Sequence, residues 1–116
     1  MDAPAARSMR GWHVRAFGGL DAMRLEELPL PQPGPGQLRV RVHASGINFA
    51  ETRMRAGTYV GQALPFTMGM ESAGVVDALG PGVEGFRIGD RVFGRARGSH
   101  AEYVLMDEAH ALHLPA

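Results

Sequence analysis

Few side chains in this sequence combine reactive chemistry with a suggestive position. They are the Asn48 carboxamide, the Tyr59 phenol, the Met70 thioether, the Glu71 carboxylate and four histidines, His13, His43, His110 and His113. There is no cysteine, so thiolate nucleophiles, disulfides and thiolate metal sites are excluded together. A carboxamide and a phenol can each donate a hydrogen bond to an oxygen that is gaining negative charge, without carrying a charge themselves. Each residue also has a plainer reading. Asn48 suits a helix cap, and Tyr59, in a loop with Gly61, suits a ring packed on the fold. Met70 reads as cleft lining, and Glu71, entering an apolar strand, reads as a carboxylate that satisfies backbone amides or an arginine. His110 and His113 stand three residues apart, which on a strand puts them on opposite faces, and His13 and His43 fall on polar faces. Scattered surface histidines, rather than a metal cluster, are expected.

The elements that must carry these residues are short. Residues 10–17 alternate and run into Gly18-Gly19, and residues 23–28 form a second run that can pair with them. Pro29, Pro31, Pro33 and Pro35 then impose an extended connection. Residues 37–44 are the clearest strand, with Leu38, Val40, Val42 and Ala44 on a core face and Arg39, Arg41 and His43 on a solvent face. Asn48 with Glu51 three residues on forms a capping box, Gly57 can close the turn, and a short helix over 49–55 follows. A loop with Tyr59, Gly61 and Pro65 leads to a buried strand over 71–79, ended by Gly80-Pro81-Gly82. Gly89-Asp90 reads as a structural turn before strands at 91–94, 99–106 and 110–114. Sixteen glycines and eight prolines suit many strands and tight turns better than a helical bundle. No segment repeats, and no helix and strand alternation signals a parallel sheet. The expected fold is mainly β: a twisted, antiparallel, partly open barrel with short helical turns.

The 116 residues suffice for one core, with residues 1–9 expected as a flexible tail and 10–116 as the domain. Twelve Lys and Arg balance twelve Asp and Glu, a net charge of zero that gives no field to attract nucleic acid or an anionic membrane. Neither partner is expected. No apolar run has signal-peptide or membrane-spanning length, and with the lack of cysteine this points to a cytoplasmic protein.

Several segments, in order, resemble the medium-chain dehydrogenase/reductase superfamily. They are Pro35-Gly36-Gln37 through Val42, Ser45-Gly46-Ile47-Asn48-Phe49, and Gly69-Met70-Glu71-Ser72-Ala73-Gly74-Val75-Val76. Val83 through Val92 and Gly98-Ser99-His100-Ala101-Glu102-Tyr103-Val104 extend the likeness over 10–116. The resemblance implies the GroES-like partly open β-barrel that forms the catalytic domain of these enzymes. The wording Gly69-Met70-Glu71 is most similar to the quinone oxidoreductase branch and its vesicle amine transport protein relatives. Asn48 and Met70 stand where zinc-dependent relatives place Cys and His ligands, and a carboxamide and a thioether are poor replacements, so the resemblance implies a zinc-independent, metal-free site.

By the same resemblance, Asn48 and Tyr59 are the catalytic candidates, facing one cleft, and Asn48, Phe49 and Met70 line the place of the nicotinamide. Arg53 replaces a second Tyr found in some quinone oxidoreductases. The implied function is the substrate-side domain of an NADPH-dependent reductase of quinones or α,β-unsaturated carbonyls. Relatives continue into a Rossmann domain for the cofactor, and no glycine-rich strand-turn-helix fingerprint occurs here. The domain alone is therefore expected to be inactive, to hold NADPH weakly, to need a Rossmann domain in the same or a partner chain, and to form homo-oligomers through its uncovered apolar face. The alternative is a freestanding GroES-like module that binds a small molecule or protein without redox chemistry.

Overall fold

The computed structural model describes residues 7–115. Eight strands and one helix follow in the order β1 (Ser8–Val14), β2 (Met23–Pro29), β3 (Gln37–Ser45), α1 (Phe49–Ala56), β4 (Phe66–Thr67), β5 (Glu71–Leu79), β6 (Arg91–Arg95), β7 (Tyr103–Asp107) and β8 (Ala111–His113). They build a three-stranded sheet, β2-β1-β4, and a five-stranded sheet, β7-β3-β5-β6-β8, and every pairing within them is antiparallel. Residues 100–102 stitch the two sheets together. The Trp12 amide donates to the His100 carbonyl and the Glu102 amide to the Arg10 carbonyl, each at 2.9 Å, and Gly11 bridges Ala101. The result is the mainly β, half-closed barrel the composition suggests.

The core follows from alternation along the longest strands. Leu38 and Val40 of β3, Val76 of β5, Val92 of β6, and Val104 and Met106 of β7 form one buried cluster with Ala96 and Ala111. Met9, Leu28 and Leu30 form a second, against which Ala101 and Tyr103 pack. Among the described residues, no helix is long and apolar enough to cross a membrane.

Several boundaries and faces differ from expectation. The first strand starts at Ser8, two residues earlier than expected, because Met9 is a core residue, and it stops at Val14. The expected tail therefore contributes Ser8 and Met9 to the sheet, and residues 1–6 lie outside the described residues. Phe66 and Thr67, expected in a loop, pair with Val14 and His13. The strand expected over 99–106 is regular only from Tyr103, since residues 100–102 serve both sheets. His110 sits in a short 3-10 turn ahead of β8 rather than on the strand.

The largest difference is Arg39, expected in solvent but only 7% exposed. A register shift between Arg39 and Val40 in the β3–β5 ladder breaks the two-residue period, so Leu38, Arg39 and Val40 are buried in succession. The guanidinium is satisfied there, with Nε 2.8 Å from Asp77 Oδ1, Nη1 3.2 Å from the Pro31 carbonyl, and its face over the Tyr103 ring at 5.8 Å.

Candidate functional site

A cavity of about 930 Å³ lies between the first turn of α1 and the exposed face of β3, β5 and β6. The ladders explain its floor. Ala44 pairs with Ala73 and Ala73 with Phe93, so three side chains form one cross-strand apolar row, and Glu71 pairs with Arg95 in the next row. Met70, just before β5, completes the apolar side, and Asn48 and Gly46 close the other.

Asn48 is held by local helix chemistry. It is the extended residue before α1, its carbonyl accepts the Glu51 amide at 3.1 Å, and Gly57 ends the helix in the left-handed conformation at φ 86°. The Glu51 carboxylate reaches back to the Asn48 backbone N–H at 3.2 Å and to the Asn48 side-chain Nδ2–H at 3.3 Å. Asn48 is thus a capping-box residue and a cavity residue at once.

Glu51, only 1% exposed, is the buried carboxylate of this region. His100 approaches it from residues that are distant in sequence: its Nε2 lies 3.6 Å from Glu51 Oε1 and 3.0 Å from the Gly46 carbonyl. The His100 backbone is fixed by its amide, which donates to the Met68 carbonyl at 2.8 Å. Gly69, at φ 106°, packs so closely on Ser99 and His100 that no side chain fits there.

Asn48 and Met70 line the same cavity, as do Glu71 and Arg95. Phe49 is 75% exposed on the first helical position and does not line it. Tyr59 is half-buried in the turn after α1, where its carbonyl accepts the Gln62 amide at 3.3 Å, and it too is outside the cavity lining. Arg53 is exposed on α1.

Glu71 differs from expectation. It is exposed, and among the described residues its carboxylate makes no hydrogen bond or ion pair, because it heads its strand at the cavity mouth with its side chain lying against Gly46. The buried, amide-satisfying carboxylate is Glu51 instead. The signal for Glu51 was present in the capping box. The sequence placed His100 in a family motif but gave it no role, because its contact with Gly46 spans 54 residues.

The other histidines are dispersed. His113 Nε2 lies 3.1 Å from Asp90 Oδ2 with its ring stacked on Phe86, and His110 lies 3.8 Å from Asp107. His43 is exposed, but His13, expected on a polar face, is half-buried with Nδ1 2.9 Å from Thr67 Oγ1, because β4 covers that end of β1. Burial lowers the His13 pKa. Among the described residues, no three His, Cys, Asp or Glu side chains gather as a metal site. Perturbed carboxyls stand outside the cavity lining: Glu26 is lowered by Arg15, Asp90 by the Arg87 amide and then His113, and Glu102 by the Arg10 amide and then its guanidinium.

Comparison with known proteins agrees with this architecture. Residues 34–116 match the family model described as the alcohol dehydrogenase GroES-like domain. The chain is 38% identical to the rat quinone oxidoreductase over 117 aligned residues, which covers 97% of this chain and 36% of that protein. It is 41% identical to the mouse synaptic vesicle membrane protein VAT-1 homolog-like over 88 residues, 75% of this chain and 21% of that one. The crystal structure of the human VAT-1 homolog-like protein superposes with a TM-score of 0.90 at 35% identity, over 94% of this chain and 36% of that one. A mycobacterial protein solved in complex with NADPH superposes with a TM-score of 0.88 at 37% identity, over 92% and 34%. The chain spans about a third of the length of such relatives. It belongs to the alcohol dehydrogenase GroES-like domain family, within the medium-chain dehydrogenase/reductase superfamily.

Proposed function

We propose that this chain is the substrate-side domain of an NADPH-dependent reductase of quinones or α,β-unsaturated carbonyls. The observation that carries the reading is the Asn48 carboxamide at the edge of an open, apolar-floored cavity, with one of its N–H groups engaged by Glu51. The second N–H is the donor for a substrate carbonyl oxygen that gains charge as it is reduced. A flat ring suits a floor of Ala44, Ala73, Phe93 and Met70. Asn48 and Met70, with Phe49 at the rim, are the residues that would border the nicotinamide, and NADPH when bound would supply the hydride. Tyr59 enters only by family likeness, as a second donor that would have to turn inward from its place after α1.

The donor set does not suit zinc. Asn48 and Met70 offer a carboxamide and a thioether, the chain has no cysteine, and no histidine lines the cavity. Polarisation of the carbonyl is therefore assigned to hydrogen bonding.

The test is NADPH oxidation with a panel of quinones and enones, using the chain alone and the chain joined to the cofactor-binding remainder of a quinone oxidoreductase. Activity of the joined form alone supports a half-site that needs cofactor and substrate held in contact. Equal activity of the lone chain overturns the half-site reading, and a joined form that binds NADPH yet reduces nothing favours a binding module.

A further inference from the structure

We propose that Glu51 and His100 are positioning residues that decide which end of the Asn48 carboxamide faces the cavity. The inference rests on the reading of Asn48 as the cavity's hydrogen-bond donor. Both Glu51 oxygens accept N–H groups of Asn48, from the backbone at 3.2 Å and from Nδ2 at 3.3 Å. Turning the carboxamide over would set Asn48 Oδ1 against Glu51 Oε2, two acceptors facing each other beside a carboxylate that is only 1% exposed. One Nδ2–H is thus held on Glu51, and the second N–H of the same nitrogen is left for the cavity.

A capping box explains the carboxylate but not His100. His100 Nε2 stands 3.0 Å from the Gly46 carbonyl and 3.6 Å from Glu51 Oε1, and both are acceptors. The nitrogen between them must carry the hydrogen, which fixes the Nε2–H tautomer. That N–H is bonded to the Gly46 carbonyl at the strand exit, which holds the ring edge in contact with the carboxylate that holds Asn48. The His100 backbone is itself anchored to Met68 at 2.8 Å and to Trp12 at 2.9 Å, so the clamp belongs to the closed side of the barrel rather than to the helix. Cavity geometry is in this way set by the junction of the two sheets.

Asn48 is the only asparagine in the sequence, so asparagine-selective ¹⁵N labelling of the chain gives a single side-chain amide signal in an NMR spectrum. The expected wild-type signal is a widely split proton pair with one member shifted downfield and slow to exchange. Glu51→Gln and His100→Leu should collapse that splitting, whereas His100→Gln, which keeps an N–H at similar reach, should restore it. An unchanged pair in folded Glu51→Gln and His100→Leu chains overturns the proposal. So does a narrow, fast-exchanging pair in the wild type, a result that needs no variant to fold. In the joined form, His100→Leu should lower kcat about tenfold with KM little changed, and His100→Gln should recover it. A locked signal combined with an Asn48→Ala variant of full activity overturns the functional reading while leaving the positioning intact.

Discussion

Asn48 and Glu51 are three residues apart in sequence and are joined twice in space, backbone N–H to Oε1 at 3.2 Å and Nδ2–H to Oε2 at 3.3 Å. Aspartate is as good a helix cap as asparagine in general, but here it would place a second carboxylate against a buried one. Asn48→Ala should cost about 1 kcal/mol, the ordinary loss of a cap. Asn48→Asp should cost more than Asn48→Ala, reversing the usual order. Urea unfolding of the two variants at neutral pH decides the matter, and an Asp variant as stable as wild type would contradict the geometry.

The Arg39–Asp77 pair makes a second test. Asp77→Ala leaves a guanidinium that is 7% exposed with the Pro31 carbonyl, a long contact to Gln32 and the Tyr103 ring, but no counter-charge. Because the Asp77 side chain is 25% exposed, the loss should be about 2 to 3 kcal/mol, below that of a fully buried pair. Arg39→Met, which removes the charge and keeps the volume, should cost less. Thermal melts that rank Arg39→Met as the worse variant would argue against a buried, dependent cation.

Two glycines of the same region should respond differently. A Cβ at Gly74 meets the Arg41 backbone carbonyl across the β3–β5 ladder, whereas the nearest atoms to a Cβ at Gly46 belong to the exposed Glu71 side chain. Gly74→Ala is expected to destabilise severely, because a backbone pairing must open. Gly46→Ala should keep nearly wild-type stability while driving Glu71 from the cavity mouth. The melting temperatures separate the two cases, and a crystal structure of Gly46→Ala would locate Glu71.

Stability should fall on acidification in two stages. Burial lowers the His13 pKa, so the unfolded chain binds that proton more readily, and stability is lost as pH drops below the ordinary histidine value. Asp90, Glu102 and Glu26 are lowered by hydrogen bonds to their charged forms, so their contribution is whole above the ordinary carboxylate range and is lost below it. Asp90→Asn still accepts the Arg87 amide but cannot titrate. It should flatten the lower limb of stability against pH, measured by denaturant midpoints, and leave the upper limb alone. A steeper lower limb would count against this account.

Much of the barrel could be read from local pattern. Strands at 37–44 and 71–79 and a helix at 49–55 agree with Gln37–Ser45, Glu71–Leu79 and Phe49–Ala56, because alternation and a capping box are local signals. Arg39 escaped because a bulge defeats strict alternation. Phe66 and Thr67 escaped because a two-residue strand has no period and exists only through its partner β1. At the site, Asn48 and Met70 were recognisable by motif and do share a cavity. Glu51 holds the capping-box role read from the sequence, whereas Glu71, expected to satisfy backbone amides or an arginine, lies exposed at the cavity mouth. His100 lay in a family motif, but its role was not legible, because the junction of two sheets delivers it to Gly46 and Glu51.

The central claim, that Asn48 is the uncharged donor to the reduced carbonyl, is tested most directly by kcat/KM for NADPH-dependent quinone reduction in the joined form with Asn48→Ala. Removing a donor aimed at a developing oxyanion costs about a hundredfold or more, chiefly in kcat. The account predicts a loss of that size with NADPH affinity little changed. Full activity in a folded Asn48→Ala protein would contradict it.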